Sequence, residues 1–278
     1  MLNMSALISF LNSINSTGTT IDTDLYTFIS AGQSNIDGRC ALVDAPEWLD
    51  QDNPEIAKLK VWNSTQYNNF KLGVNTGSDN NAQTTWAFDM VFYHLYSEYK
   101  NRNLYLIKRS HGGTPIYIQP EGNEKGCWNV DFDSIPVGTP KLLQELEYKF
   151  NSGKTYIDNL GKTLSVKAIL WYQGGTDVEI GGDAITDYKE NFRNVINYIR
   201  EDIVGDPTVP FLFVTQSHNS LTYNSVMESG QTELVSEMVN LYMVDAKDVV
   251  MQADNIHINA DGAEWVGTDA YDQLKLII

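Results

Sequence analysis

Ser34 stands in the run Gly32-Gln33-Ser34-Asn35, directly behind the apolar stretch 25–30 (LYTFIS). A serine that a strand delivers into a tight turn is a candidate nucleophile, provided that a base lies within reach. Serines at such turns also serve as ordinary helix caps, so the motif by itself decides nothing. The base must come from four histidines. His257 is the best placed, because Asp254 precedes it by three residues in the loop before the last helical stretch. That spacing lets the carboxylate accept from one ring nitrogen and leaves the other nitrogen to face a hydroxyl. His94 lies in helical register with Trp86 and Met90, which indicates packing, while His111 and His218 each follow an apolar run and suit a rim or a substrate contact.

Ester cleavage by such a set also needs N–H donors where the oxyanion develops. Gly112-Gly113 can present backbone N–H groups with no side chain in the way, Gln173 offers a side-chain amide, and Ser34 adds its own N–H. Other chemistries find less support. Ile36 stands where G-x-S-x-G requires its second glycine, which argues against an α/β-hydrolase elbow. The Gly-Lys-Thr runs at 153–155 and 161–163 lack the upstream glycine of a phosphate loop, and no G-x-G-x-x-G follows a strand. There is no H-E-x-x-H and no cysteine–histidine set with zinc spacing, so neither cofactor nor metal is expected. Asp177 and Glu179 read as solvated loop charges.

The elements that must carry these residues alternate. Short β-rich runs occupy 25–30, 103–108, 166–172, 210–215 and 241–245, with helical patterns at 86–100, 140–150, 187–203 and from about Asn259 onward. In the third helix Tyr188, Phe192, Val195, Ile196, Ile199 and Ile203 mark one apolar face. Pro140 is expected in the first turn of its helix. Strands apolar throughout and separated by helices imply a parallel sheet covered on both faces, here a three-layer α/β/α sandwich on five parallel strands. Ligands of such sheets bind beyond the carboxyl ends of the strands. Every run is followed by polar or small residues: AGQSN, RSHGGT, QGGTD, TQSHNS and, after a short loop, ADNIHINADG. Their convergence on one edge is a stronger signal than any single motif. The segment 37–85 is expected as an elaborated loop region at one end.

With 278 residues and 42% hydrophobic content, the chain can bury a full core as one domain, expected over 25–278. Its net charge of −17 disfavours nucleic acid and anionic membranes as partners. Cys40 and Cys127 form no disulfide framework; a reduced compartment fits and a single bridge stays open. Residues 1–24 carry Met4, Leu7, Leu11 and Ile14 on one helical stripe, expected as a helix packed on the domain or as an assembly contact. No Lys or Arg precedes Arg39, so an export signal is not expected, and a cytoplasmic enzyme or a component of a virus particle fits equally.

The set GQSN (32–35), HGGT (111–114), WYQGG (171–175) and DNIH (254–257) resembles the SGNH/GDSL hydrolases, and within them the sialate O-acetylesterase-like carbohydrate esterases. The resemblance runs from about Tyr26 to the C-terminus. It implies a flavodoxin-like fold and a serine esterase that removes acetyl groups from sialic acid or an acetylated polysaccharide through an acyl-enzyme. Carried over, Ser34 is nucleophile, His257 base and then acid, and Asp254 its orienter; Ser34, Gly112 or Gly113, and Gln173 supply the oxyanion site. Arg39, Trp128 and His218 are candidate sugar contacts, although Trp128 equally suits a buried anchor and Arg39 a surface ion pair. Two positions depart from the pattern: Ile36 replaces a methionine, and Gly175 replaces a glutamate. The alternative is a carbohydrate-binding or structural module that keeps this fold with little turnover.

Overall fold

Along the central strands, successive side chains enter opposite cores. In β1 (Asp24–Gly32) Phe28 joins one core and Ile29 the other. In β7 (Thr163–Tyr172) Ala168, Leu170 and Tyr172 face the first core, while Ile169 and Trp171 face the second. β8 (Phe211–Val214) divides Leu212 and Val214 from Phe211 and Phe213 in the same way. A two-residue period with both faces apolar is what a sheet buried on both sides demands. The computed structural model describes residues 24–49, 53–77 and 85–278. The helix expected within 1–24 lies outside the described residues.

The chain runs from β1 through a short helical turn α1 (Ser34–Asp37), β2 (Cys40–Ala41), β3 (Glu55–Trp62), β4 (Tyr67–Lys71) and β5 (Thr85–Trp86). It continues through α2 (Phe88–Lys100), β6 (Leu104–Ser110), α3 (Leu142–Asn159), β7, α4 (Gly175–Ile180), α5 (Asp183–Thr186) and α6 (Tyr188–Asn197). A π-helical segment extends α6 to Val204, and β8, α7 (Ser225–Glu237), β9 (Leu241–Val244) and α8 (Ala260–Leu274) follow. The sheet order is β4-β3-β6-β1-β7-β8-β9. The five expected strands are β1, β6, β7, β8 and β9, each parallel to its neighbour in this set. The segment 37–85 is more than loop: β3 joins β6 in parallel, and β4 pairs antiparallel with β3 at the edge.

α2 and α8 cover one face, with Phe88, Phe92, Val266 and Ala270 in the first core. α3, α6 and α7 cover the other through Leu146, Phe150, Phe192 and Leu234. The apolar face read for the third helix is buried at all six positions. Pro140 precedes α3 rather than entering its first turn; Lys141 is the cap residue, and the helix runs on to Asn159. Phe28 meets Phe92, Tyr93 and Tyr96 edge-on at centroid distances of 5.5, 5.4 and 5.3 Å. Burying one such ring contributes roughly 1.5–3 kcal/mol, and each edge contact adds on the order of 1 kcal/mol. Cys40 and Cys127 are separate buried thiols, each pushed up by burial to about 12.

The topology places a switch point at β1: β3, β4 and β6 lie on one side of it, and β7, β8 and β9 on the other. The three strand ends are tied there. Gln33 N–H donates to Tyr172 O at 2.8 Å, and His111 N–H donates to Gly32 O at 3.0 Å. Gly32 has φ +134°, and a Cβ there would lie 2.3 Å from Tyr172 O. Only glycine allows that approach.

Candidate active site

Behind Gly32 the chain turns into α1, which puts Ser34 at the lip of a cavity of about 300 Å³. His257 arrives from the loop between β9 and α8. Its Nε2 lies 3.0 Å from Ser34 Oγ, and its Nδ1 lies 2.7 Å from Asp254 Oδ2. The other carboxylate oxygen, Oδ1, accepts from Ile256 N–H at 2.9 Å and His257 N–H at 3.0 Å. Burial pushes the Asp254 carboxyl up, but those N–H bonds and the His257 ring outweigh it and hold the group below its ordinary range. An ionised Asp254 takes the Nδ1 proton as acceptor, which leaves Nε2 to receive the hydroxyl proton of Ser34.

Asn35 joins the two distant segments. Its Oδ1 accepts from Ile258 N–H at 3.1 Å, and its Nδ2 donates to Ile256 O at 3.4 Å. The residues on either side of His257 are therefore bound to the residue after Ser34. Gln252 Nε2 adds a second tie, donating to Arg39 O at 3.0 Å and Ile258 O at 2.9 Å. 

The facing wall is the loop after β6. A Cβ on Gly112 would lie 3.4 Å from Ser34 Cβ and 2.6 Å from the end of the Arg39 side chain, so this loop passes close over Ser34. Gly113 has φ +73° and lies against the Lys125 side chain. Arg39 lines the cavity, with Nη1 donating to Asp37 Oδ2 at 3.0 Å and Gly38 O at 2.6 Å. His111 lines it too.

Three expected contacts are corrected. Gln173 is fully buried, and its Nε2 donates to Thr114 O at 3.0 Å and Asp177 Oδ2 at 2.5 Å, so both amide protons are already committed. Trp128 is fully buried against Trp171, with Nε1 donating to Thr114 Oγ1 at 2.9 Å; it is an anchor beneath the loop. His218 lies outside the cavity, where it meets Glu228 Oε1 at 2.8 Å and packs on Tyr223. His94 stacks on Trp48 at 3.8 Å, as packing.

Asp177 is a buried carboxylate, not a solvated charge. It accepts from Ile116 N–H and Tyr117 N–H at 3.1 and 2.9 Å, and from Gln173. These bonds hold the end of the His111–Tyr117 loop against α4. Burial pushes its carboxyl up to about 6, although the same N–H groups pull the other way. Gln33, Lys125, Glu179 and Thr222 also line the cavity. Gln33 could have been found from its place beside Ser34; its Oε1 accepts from Gly174 N–H at 3.2 Å and Thr176 N–H at 3.4 Å.

The sequence matches the family model for carbohydrate esterases described as sialic acid-specific acetylesterase (SASA) over residues 24–275. The chain belongs to this family. A stretch of 102 residues is 30% identical to the probable carbohydrate esterase At4g34215 of Arabidopsis thaliana, covering 37% of each protein. The solved structure of that Arabidopsis protein superposes at a TM-score of 0.68 with 17% identity, covering 92% of this chain and 99% of that one. NanS superposes at 0.64 with 12% identity, over 92% and 97%. XAC1771, a carbohydrate acetylesterase from Xanthomonas citri, superposes at 0.55 with 15% identity, over 88% of this chain and 55% of that one. At these identities the likeness is one of fold.

Gly175, where the resemblance has a glutamate, is buried beside Gln33 and Thr222. A Cβ on Gly175 would lie 3.0 Å from both Gln33 Nε2 and Thr222 Oγ1. Those two side chains already close over the position.

Proposed function

We propose that this chain is a serine esterase that removes O-acetyl groups from carbohydrate, with sialic acid or an acetylated polysaccharide as the substrate class. The observation that carries this reading is the Ser34 Oγ to His257 Nε2 contact of 3.0 Å, with Asp254 on the far ring nitrogen at 2.7 Å. Ser34 Oγ attacks the acetyl carbonyl carbon while its proton passes to His257 Nε2. The carbonyl π pair moves onto oxygen, and the Ser34 and Gly112 or Gly113 backbone N–H groups face that oxyanion. Collapse breaks the bond to the sugar oxygen, which leaves with the proton from His257. Water then attacks acetyl-Ser34 by the same proton route, and acetate departs.

The fit of the cavity supports a small acyl group. About 300 Å³ accommodates an acetyl and part of one sugar ring. The side-chain donor assigned to Gln173 is not part of this proposal; Gln33 follows Gly32 directly and lines the cavity.

The test is acetate release from a panel of O-acetylated glycans, compared with Ser34→Ala. Release by the unaltered chain and its loss in the variant support the reading. Equal rates for the two proteins, or no release from any acetylated glycan alongside retained glycan binding, leave the binding-module alternative in its place.

A further inference from the structure

The chain carries 36 acidic and 19 basic side chains, yet one cavity reverses that balance. It measures about 610 Å³ and lies between α3 and the end of β6. Glu145 and Lys149 lie one turn apart on α3, with the cap residue Lys141 ahead of them and Gln144 and Tyr148 beside them in the lining. Arg109 from β6 forms the opposite wall.

The one carboxylate in the lining is already taken. Glu145 Oε2 accepts from Arg109 Nε at 2.8 Å and lies 2.7 Å from Arg109 Nη2. Arg109 is itself nine-tenths buried, and its Nη1 donates to Ser110 O at 2.7 Å. Among the described residues, neither Lys141 nor Lys149 has a carboxylate within 4 Å. Lys149 Nζ donates one proton to Lys108 O at 2.9 Å, and an ammonium has three to give. Three cations, Arg109, Lys141 and Lys149, therefore share this lining with one carboxylate, and Arg109 already holds it. Burial, with Arg109 and Lys108 beside it, outweighs the pull of the Glu145 and Asp37 carboxylates and brings the Lys149 ammonium down to about 8. Such crowding of like charge is relieved when an anion binds.

We propose that this cavity is an anion-binding site for a carboxylate, sulfate or phosphate group, with Lys141 and Lys149 as the charge partners and Gln144 and Tyr148 as neighbouring polar contacts. Two sources share that chemistry: a free inorganic anion, or an acidic residue of an oligosaccharide. The second is favoured by position. Arg109 lies three residues before Gly112, and Asn123, whose N–H donates to the cavity-lining Thr139 Oγ1 at 3.0 Å, also donates from Nδ2 to Gly113 O at 3.3 Å. The anion site and the cavity at Ser34 thus flank one loop. The proposal does not depend on ester hydrolysis, and its test reads binding alone.

Calorimetric titration of the full chain would use inorganic phosphate, an oligogalacturonate and a neutral glucan of equal length. The expected result is saturable binding of at least one anionic probe, with at least tenfold weakening in Lys141→Gln/Lys149→Gln. Glu145→Gln, which releases Arg109, tightens it. Binding of phosphate assigns the site to free anions as well; binding of the oligogalacturonate alone assigns it to acidic saccharide. Absence of saturable binding by both, or equal affinity in the double variant, overturns the proposal. Should the double variant fail to fold, Lys141→Gln and Glu145→Gln must still shift affinity in opposite directions.

Discussion

Asn35 and His257 are linked through the backbone rather than through the imidazole: the Asn35 amide grips Ile256 O and Ile258 N–H, the peptide groups on either side of the histidine. The turn that presents Ser34 thereby also fixes the loop that presents its partner. Asn35→Ala is expected to leave the Ser34, His257 and Asp254 side chains unaltered while loosening the Ser34–His257 contact. A misplacement of about 1 Å can cost on the order of 100-fold in rate, so kcat should fall 10- to 100-fold with KM little changed. Steady-state kinetics on a small acetate ester check this; unchanged kcat would show that the loop holds itself.

Asp254→Asn tests whether this carboxylate orients His257 for the proposed reaction. The amide can keep accepting from Ile256 and His257 N–H through its oxygen, but it then turns an NH₂ toward His257 Nδ1. That favours the tautomer with its proton on Nε2, which cannot take the Ser34 proton. The expected loss in kcat is on the order of 10³–10⁴. The depressed carboxyl of the folded protein also contributes stability above the ordinary aspartate range, lost as pH falls through its lower folded value. The melting temperatures of wild type and variant should therefore converge on acidification toward pH ~3.

Asp177 predicts the opposite slope. Its carboxyl is pushed up to about 6 in the folded chain, above its ordinary value, so the folded state holds the proton more tightly. Wild type should lose stability relative to Asp177→Asn as pH rises from about 4 to above 6, by roughly 3 kcal/mol for this buried group. The hydrogen-bond mismatch that asparagine brings at Ile116, Tyr117 and Gln173 is a constant offset and leaves the slope intact. Chemical denaturation across that range measures the difference, and parallel curves would contradict it.

The strand-helix alternation and the polar strand ends were legible because the central strands are apolar on both faces and end in small residues. β3 and β4 were not: EIAKLKVW and YNNFK carry lysines and asparagines that suit strands near a sheet edge and read as loop. Asp177 was misread for a different reason. Its neighbours in sequence are polar, and its burial comes from backbone N–H groups of residues sixty positions away. The position of Gln173 after β7 was readable, but the direction of its amide was not, since Thr114 and Asp177 take both protons only in the folded chain. The Asn35 clamp was equally hidden, because its partners lie near the other end of the sequence.

The central claim is that Ser34 is an activated hydroxyl, and a fluorophosphonate probe reads that property directly. After brief labelling at neutral pH, peptide mass spectrometry should find one adduct, on Ser34, absent from Ser34→Ala and strongly reduced in His257→Ala. An unlabelled wild-type chain, or labelling that persists undiminished in Ser34→Ala, would contradict the account.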